Sequence, residues 1–200
     1  MRRRSSSLKT LRLALGWLLG GVLALGLGLA LALWATLPKP YEHLQLARLT
    51  APVAISLDAL GMPRITAQNE LDAATAIGWL HARDRMFQMD LMRRGAQGRL
   101  AEIAGPPALR ADRFTRTLGL ADRASADLAT LSPETRALLD AYAAGVNARI
   151  AQRGRFIAPE FLALGPPEPW RPEHSLLWGK VMGLWLSANW RSEIERAQLA

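Results

Sequence analysis

Residues 69–105 of this 200-residue chain read NELDAATAIGWLHARDRMFQMDLMRRGAQGRLAEIAG, and the fold is built around this segment. It opens with Asn69, a good helix N-cap, and Asp72, whose carboxylate faces the positive end of the helix dipole. Apolar residues then recur at helical spacing in two stripes, which are Leu71, Ala74, Gly78, Ala82, Met86 and Met89 on one, and Ile77, Leu80, Phe87 and Leu91 on the other. Two apolar stripes predict a helix that is buried on most of its sides.

Charged residues interrupt the apolar stripes of this helix; they are Arg83, Asp84, Arg85, Asp90, Arg93 and Arg94. Charges on a mostly buried helix must be paired or hydrogen-bonded to be tolerated. We therefore assign the cluster to buried ion pairs that organise the core, and not to catalysis. Replacing Asp84 by Ala is expected to leave a positive charge uncompensated, at a cost of ~3–5 kcal/mol.

The helix and the segment before it carry a resemblance to a known family. Residues 58–102 follow the pattern D-x-x-G-[IVM]-P-[HR]-I, then G-[YW]-[LV]-x-A-x-D-R-[LM]-F-Q-M-[DE], then R-R-x-x-x-G-x-[LV]-[AS]-E. This resembles the opening of the penicillin acylase (penicillin amidase) family of N-terminal-nucleophile hydrolases. A second run, MGLWLSANWRSEIERAQL at residues 182–199, resembles the family's later helix. The resemblance covers roughly residues 45–200.

The resemblance implies a fold and a reaction. The fold is mainly α in this portion, with a β-hairpin, and contributes to an α+β four-layer (αββα) N-terminal-nucleophile hydrolase. The reaction is hydrolysis of the amide bond of a small acylated amine by a serine whose own α-amino group acts as the base. That serine begins a second chain, which self-cleavage of the precursor releases. We therefore expect the nucleophile to lie beyond residue 200 and this portion alone to be inactive.

The resemblance also assigns roles to three residues. Met182 and Leu186 fall where residues of an apolar acyl pocket are expected, and Glu193 falls where a calcium-binding glutamate is expected. The residues alone give plainer interpretations: Met182 and Leu186 pack in the core, and Glu193 pairs with Arg196 at i, i+3. Calcium takes about six oxygen ligands or more, so the others would come from beyond residue 200. The substrate stays open among a β-lactam, an acyl-homoserine lactone and another amide.

No serine or histidine of the chain predicts a conventional catalytic site. Ser187 imitates the start of the family's second chain, but it follows Leu186 where the family has glycine, and it lies in a helical run. The three histidines, His43, His81 and His174, form no triad pattern, and the G-x-S-x-G and H-E-x-x-H motifs are absent. His81, inside the buried helix, is expected to be a satisfied core histidine.

The N-terminal segments predict export. The uncharged run at residues 13–37 exceeds the ~20 apolar residues that cross a bilayer, and the basic segment 1–12 before it should stay cytoplasmic. We favour an uncleaved anchor over a signal peptide, whose apolar core is usually ~7–15 residues long. The body would then be anchored to the inner membrane, in the periplasm or outside the cell. Residues 38–44 form a linker, and residues 45–200 are the incomplete acylase-like domain.

The remaining elements of the domain are predicted from local patterns. Alternation at Val53, Ile55 and Leu57 predicts a hairpin within residues 45–68, and because two strands are marginal it should join a larger sheet; a lone surface hairpin is the alternative. Residues 106–170 predict a helical layer with a weak point at Gly119 and a restart at Ser132. In the loop at the end of that layer, Trp170 is expected to be a packing anchor.

Composition excludes several classes of function. Cysteine is absent, which excludes disulfides and thiolate metal sites and leaves the redox compartment open. The net charge of +8 comes almost entirely from arginine mixed with acids, which indicates a solvated, salt-bridged surface and no nucleic-acid partner. The alternative functions are a non-enzymatic membrane-anchored helical module that binds a partner in the envelope, and an inactive truncated acylase.

Overall fold

A computed structural model describes residues 4–39, 42–43, 45–46, 48–187 and 189–199. Parts of three predicted segments lie outside the described residues: 1–3 of the basic segment, 40, 41 and 44 of the linker, and 47, 188 and 200 of the acylase-like domain. The chain forms two compact units, Met1–Leu37 and Pro38–Ala200. The first unit is one helix, α1 (Arg4–Thr36), of which Arg12–Thr36 is apolar and long enough to cross a membrane. The ability of this helix to cross a membrane is supported by its length and composition alone, and a signal sequence passes the same test.

The second unit is mostly helical with one β-hairpin, which confirms the predicted fold class of this portion. The hairpin strands are β1 (Ala54–Leu57) and β2 (Pro63–Thr66), and short 3₁₀ turns lie at Pro106–Ala108 and Gly154–Ile157. The helices are α2 (Glu70–Gln97), α3 (Ala101–Ala104), α4 (Leu109–Leu118), α5 (Leu120–Leu128), α6 (Pro133–Arg153), α7 (Phe161–Leu164), α8 (Pro172–Leu186) and α9 (Trp190–Leu199).

The hairpin forms at the predicted place. Its strands are antiparallel, with Ile55 opposite Ile65, and the Asp58 carboxylate closes the turn by accepting hydrogen bonds from the Leu60 and Met62 amides at 2.9 and 2.8 Å. Within the described residues the sheet contains these two strands alone, and β1 is exposed along its whole length. The larger sheet that we expected is therefore not formed by the described part of this chain.

Helix α2 begins and ends as its sequence predicts. Asn69 Oδ1 accepts a hydrogen bond from the Asp72 amide at 2.8 Å, and the Asp72 carboxylate accepts from the Thr50 and Ala51 amides at 3.0 and 3.1 Å, which ties the preceding loop to the helix. These hydrogen bonds, led by that of Thr50, hold the pKa of Asp72 below its ordinary value. The helix ends at Gly98, whose φ of 67° is the left-handed conformation of a C-cap.

The two sides of α2 have different environments. The inner side is buried and includes Ala82 and Met86, whereas the outer side leaves Ile77 38% and Leu91 37% exposed. The prediction that the helix is buried on most sides is therefore wrong at Ile77 and Leu91, whereas Leu80 of the same stripe is buried. Within the described residues, the chain supplies packing partners for one face of α2 and leaves the other largely uncovered.

A glycine-mediated crossing of α2 and α6 forms the centre of the unit. A Cβ atom on Gly78 would lie 2.1 Å from the Tyr142 carbonyl oxygen, and one on Gly145 would lie 1.9 Å from the Thr75 carbonyl oxygen. Both distances are shorter than any real contact, so only glycine permits the two backbones to approach so closely. The adjoining core consists of Ala82, Met86, Ala143, Val146, Ile157, Phe161 and Trp170. Trp170 is buried there, as its predicted packing role requires.

Buried ion pairs surround the second half of α2, but they are centred on Asp90. The side chains of Asp90 and Arg93 are fully buried and bonded to each other, and Arg94 Nε also donates to Asp90 at 2.8 Å. Asp84 is 48% exposed and lies 3.8 Å from Arg83 Nε. The predicted burial of Asp84 and Arg85 is therefore wrong, because both residues face outward where the helical φ and ψ angles are interrupted at Arg85.

A second buried ion pair joins the predicted linker to the body. Arg149 on α6 is buried, and its Nη1 donates to Glu42 Oε2 at 2.9 Å. The guanidinium carbon of Arg149 also lies 4.9 Å from the centroid of the Trp79 ring on α2. Glu42 therefore packs against the body, although it falls in the segment that we predicted as a linker.

The remaining helices follow their sequence signals. Gly119, with φ of 64°, separates α4 from α5 at the predicted weak point. Ser132 Oγ caps α6 by accepting from the Thr135 amide at 3.2 Å. A second buried cluster, formed by Ala96, Ala124, Leu177 and Val181, packs α5 and α8 against the end of α2.

Replacing Gly145 by Ala tests the close crossing of α2 and α6. The new methyl group would improve helix propensity by about 1 kcal/mol but must force the backbones apart, and overpacking of this kind typically costs about 1–3 kcal/mol or more. We expect a net loss of stability, measured as a lower Tm. Gly179→Ala on α8 is the matched control, because a Cβ there meets nothing within 4 Å, and it should leave the Tm unchanged or raise it slightly. Equal Tm values for the two variants would contradict the close crossing.

Replacing Asp90 by Ala tests which carboxylate neutralises the buried arginines. It leaves Arg93 buried without its partner, and we expect the free energy of unfolding to fall by about 3–5 kcal/mol. Asp84→Ala is the control and should cost about 1 kcal/mol or less, because the carboxylate is largely exposed. Denaturant unfolding of both variants measures the difference. If the Asp84 variant proves the less stable, the assignment of the buried pair is wrong.

Candidate functional site

The outer side of α2, together with α6 and α8, encloses a groove of about 580 Å³. This volume falls within the range of about 300–1,000 Å³ typical of ligand pockets. The α2 side contributes Ala74, Ile77, His81, Arg85, Gln88, Met89, Met92, Arg93 and Ala96. The facing side contributes Leu138, Leu139, Tyr142, Trp170, His174, Ser175, Leu177 and Trp178. The lining is mostly apolar, with a few polar groups among the apolar side chains.

One polar contact in the groove joins His81 to Tyr142. The His81 Nδ1 atom lies 2.9 Å from the Tyr142 hydroxyl, and the two rings meet edge to face. Burial raises the pKa of Tyr142 to about 12, so the phenol stays protonated at physiological pH. The prediction of a core histidine is wrong for His81, because it lies on the exposed outer side of α2. Its ring is nevertheless hydrogen-bonded, as expected of a satisfied histidine.

The buried histidine of this region is His174, in the first turn of α8. Its Nδ1 accepts a hydrogen bond from the Arg171 amide at 3.0 Å, and its ring stands edge-on against Trp170. Burial, with the nearby positive charges of Arg93 and Arg171, lowers the pKa of His174 to about 3. The imidazole is therefore neutral and its Nδ1 is occupied, which fits a role in positioning the start of α8. The sequence placed His174 two residues after Pro172, in the first turn of a predicted helix, and this position was the signal for its role at the start of α8.

An ion-pair network holds the loop that closes one end of the groove. Arg93 Nη1 donates to the Pro169 carbonyl at 2.9 Å, and Arg99 Nη2 donates to Glu168 Oε1 at 2.6 Å. The hydrogen bonds from Arg99 lower the pKa of Glu168 to about 2. Trp170 therefore enters the groove lining from a loop that is fixed to α2.

The two predicted acyl-pocket residues lie on α8 but outside the groove lining. Met182 is half-buried, and Leu186 is 82% exposed at the last position of the helix. Trp185, also exposed, packs edge-on against Trp178 with 5.8 Å between the ring centroids. The structure thus places Met182 and Leu186 one helical turn apart, and their pocket role stays a prediction.

The predicted calcium ligand, Glu193, is exposed on α9. Its Oε1 accepts a hydrogen bond from Arg196 Nη1 at 2.8 Å, the pairing that the residues alone indicate. Across the described ranges, no group of three or more His, Cys, Asp and Glu side chains is arranged to hold a metal ion. These residues thus offer calcium one carboxylate, an incomplete ligand set, and the calcium role of Glu193 stays a prediction.

Ser187 occupies the end of α8. Its Oγ donates to the Gly183 carbonyl at 2.6 Å, and its peptide nitrogen donates to the same oxygen at 3.0 Å. No serine hydroxyl in the described part of the chain is hydrogen-bonded to a histidine. Ser187 therefore has the contacts of a helix C-terminus and not those of an activated nucleophile.

Comparison with known proteins identifies relatives of this chain. A family model described as penicillin amidase matches residues 52–200. The chain is 42% identical over 160 residues to penicillin acylase 2 proenzyme of Pseudomonas sp. strain SE83, covering 80% of this chain and 20% of that protein. It is 42% identical over 150 residues to the acyl-homoserine lactone acylase QuiP of Pseudomonas aeruginosa, covering 74% and 18%.

A solved structure also matches the fold. A thermostable penicillin G acylase from Alcaligenes faecalis superposes with a TM-score of 0.62 at 27% identity, covering 68% of this chain and 75% of the solved chain. The chain described here spans about a fifth of the length of the curated relatives it matches. Because the family match covers most of the chain and the fold agrees with it, the chain belongs to the penicillin amidase family.

Proposed function

We propose that this chain is the N-terminal portion of an amidohydrolase precursor that hydrolyses the amide bond between an acyl group and an amine. The family match over residues 52–200, which includes the hairpin, α2 and α8, is the observation that carries the proposal. The names of two relatives indicate penicillins and acyl-homoserine lactones as the amides to test. Among the described residues no serine has the setting of a nucleophile, so the nucleophile is assigned to the remainder of the precursor.

The lengths of the relatives support a two-chain product. The aligned part of this chain, about 136 residues, makes up three quarters of the solved Alcaligenes faecalis chain, which therefore has about 180 residues. By contrast, 128 aligned residues make up 15% of the Escherichia coli penicillin G acylase, which therefore has about 850 residues. A short chain in one case and a long one in the other fits cleavage of a precursor. The relative from Pseudomonas sp. strain SE83 is itself described as a proenzyme, which agrees with this.

In the proposed reaction, the second chain supplies the nucleophile and this portion supplies contacts to the acyl group. The N-terminal serine hydroxyl of the second chain attacks the amide carbonyl, and its α-amino group takes the hydroxyl proton and passes it to the departing amine. Fixed hydrogen-bond donors stabilise the tetrahedral oxyanion. Water then hydrolyses the acyl ester to release a carboxylic acid. Met182 and Leu186, apolar and one helical turn apart on α8, are proposed to contact the acyl group.

The proposed enzyme is attached to the inner membrane by α1, with its body in the periplasm or outside the cell. The apolar Arg12–Thr36 segment supports an anchor or a signal sequence equally by length and composition. The basic residues at the start of the chain support the orientation, because positive charges stay cytoplasmic.

Activity of the complete reading frame tests the proposed function. We expect it to yield two associated chains that release amine from penicillin G or from an N-acyl-homoserine lactone, with loss of activity when the first serine of the second chain is replaced by Ala. Leu186→Asp should lower kcat/KM by about 10–100-fold, because it places a charge in an apolar acyl pocket. Leu109→Asp on α4, also at a partly exposed leucine, is the control and should retain activity. An uncleaved product that hydrolyses neither amide would contradict the proposal and favour a binding module.

Calcium binding at Glu193 is a separate proposal about the mature protein. The remaining oxygen ligands would come from the second chain, and calcium bound to the folded state should raise its Tm. Glu193→Gln is expected to abolish that rise, whereas Glu195→Gln, at the next acidic residue of α9, should keep it. A calcium-dependent rise of the same size in the Glu193 variant would exclude this residue as a ligand.

A further inference from the structure

Three residues of the family pattern are exposed on the outer side of α2. They are Asp84, Arg85 and Gln88, the D, R and Q of the run D-R-M-F-Q-M. Within the described part of the chain, Arg85 and Gln88 make no side-chain hydrogen bond or ion pair, and Asp84 has only the 3.8 Å contact with Arg83. By comparison, Asp90 and Arg93 in the same helix are buried and bonded to each other. Contacts within this portion therefore explain the second pair and leave the first three residues unexplained.

Arg85 and Gln88 line the groove, whose exposed lining is mostly apolar. Ile77 from α2 and Trp178 from α8 are 38% and 41% exposed, and Leu139 from α6 lines the same groove. An apolar centre with a polar rim is the composition of a protein interface. Soluble proteins seldom leave such a surface uncovered, so the groove calls for an occupant.

The remainder of the precursor is the occupant that the lengths favour. This chain spans about a fifth of its curated relatives, so about four fifths of such a protein lies outside it. Within the groove, His81 Nδ1 is already hydrogen-bonded to the Tyr142 hydroxyl, and most of the other lining side chains are apolar, so the groove suits apolar side chains. The Arg85 guanidinium at the rim suits a carboxylate or the carbonyl end of a helix.

We propose that the groove between α2, α6 and α8 is the docking site for an apolar segment of the second chain, held at its rim by an acceptor group on Arg85 and Gln88. The inference rests on the proposed function, because the second chain is part of that proposal. It adds a location and a polar contact that fixes the docked segment. It also gives a role to Arg85 and Gln88 that is independent of catalysis.

Thiol labelling of the assembled protein tests whether the groove is covered. This chain has no cysteine, so Gln88→Cys and Arg113→Cys introduce single thiols on two exposed sites, the second on α4 outside the groove. In the purified two-chain protein we expect Gln88→Cys to react with a maleimide at least about tenfold more slowly than Arg113→Cys, since burial by a partner removes reagent access. In urea the two rates should converge. Equal rates in the folded protein would overturn the proposal.

Charge substitution at the rim tests the nature of the contact. Arg85→Glu should lower the yield of the second chain recovered with a tagged first chain, whereas Arg85→Lys should keep most of it and Arg113→Glu should have no effect. If all three variants give the same yield of second chain as the parent, the proposed contact at Arg85 is wrong, even if the labelling experiment shows that the groove is covered.

The outcomes also separate the groove from the reaction. Slow labelling in a two-chain protein that hydrolyses neither amide keeps the docking site and removes the proposed reaction. Fast labelling in an active enzyme removes the docking site and keeps the reaction. If labelling is slow in a concentrated sample and becomes fast on dilution, a second copy covers the groove. If labelling is fast without an added acyl-homoserine lactone and slow with it, a small molecule covers the groove. Either result would overturn the proposal.

Discussion

The close approach of α2 and α6 at Gly78 and Gly145 is the constraint on which the rest of the body depends. Backbone carbonyls occupy the space where a Cβ would stand on either glycine, so the two longest helices of the body pack against each other through main-chain atoms. This contact brings Ala82 and Met86 against Val146 and fixes the first core cluster. It also decides which side of α2 is covered by the chain itself and which side is not.

The charges of α2 follow from that division. On the covered side, Asp90 binds Arg93 and Arg94, and Arg93 continues to the carbonyls of Glu168 and Pro169, which holds the loop before α8. A buried network of this kind contributes order more than net stability, because desolvation offsets much of the attraction. On the uncovered side, Arg85 and Gln88 stand beside an apolar groove. One helix therefore organises the core of its own chain and carries the surface that we propose docks the second chain.

Local signals predicted the elements well, and non-local contacts limited the rest. The caps at Asn69 and Ser132, the hairpin and the break at Gly119 depend on neighbouring residues, so the sequence contained their cause. The two apolar stripes of α2 look alike, so nothing local tells that Ile77 faces the groove, or that Asp90 and not Asp84 is buried. The Glu42–Arg149 pair joins residues 107 positions apart, and the helical register of Arg149 alone does not reveal it. The roles proposed for Met182, Leu186 and Glu193 involve contacts with the proposed second chain, which are non-local contacts of the same kind.

The structure of the processed product of the complete reading frame, determined by crystallography or electron cryomicroscopy, would locate the second chain on this portion. We predict that α2 and α6 still cross at Gly78 and Gly145 and that residues of the second chain fill the groove, with an acceptor group on Arg85. A second chain that associates elsewhere and leaves Gln88 and Trp178 in contact with solvent would contradict it.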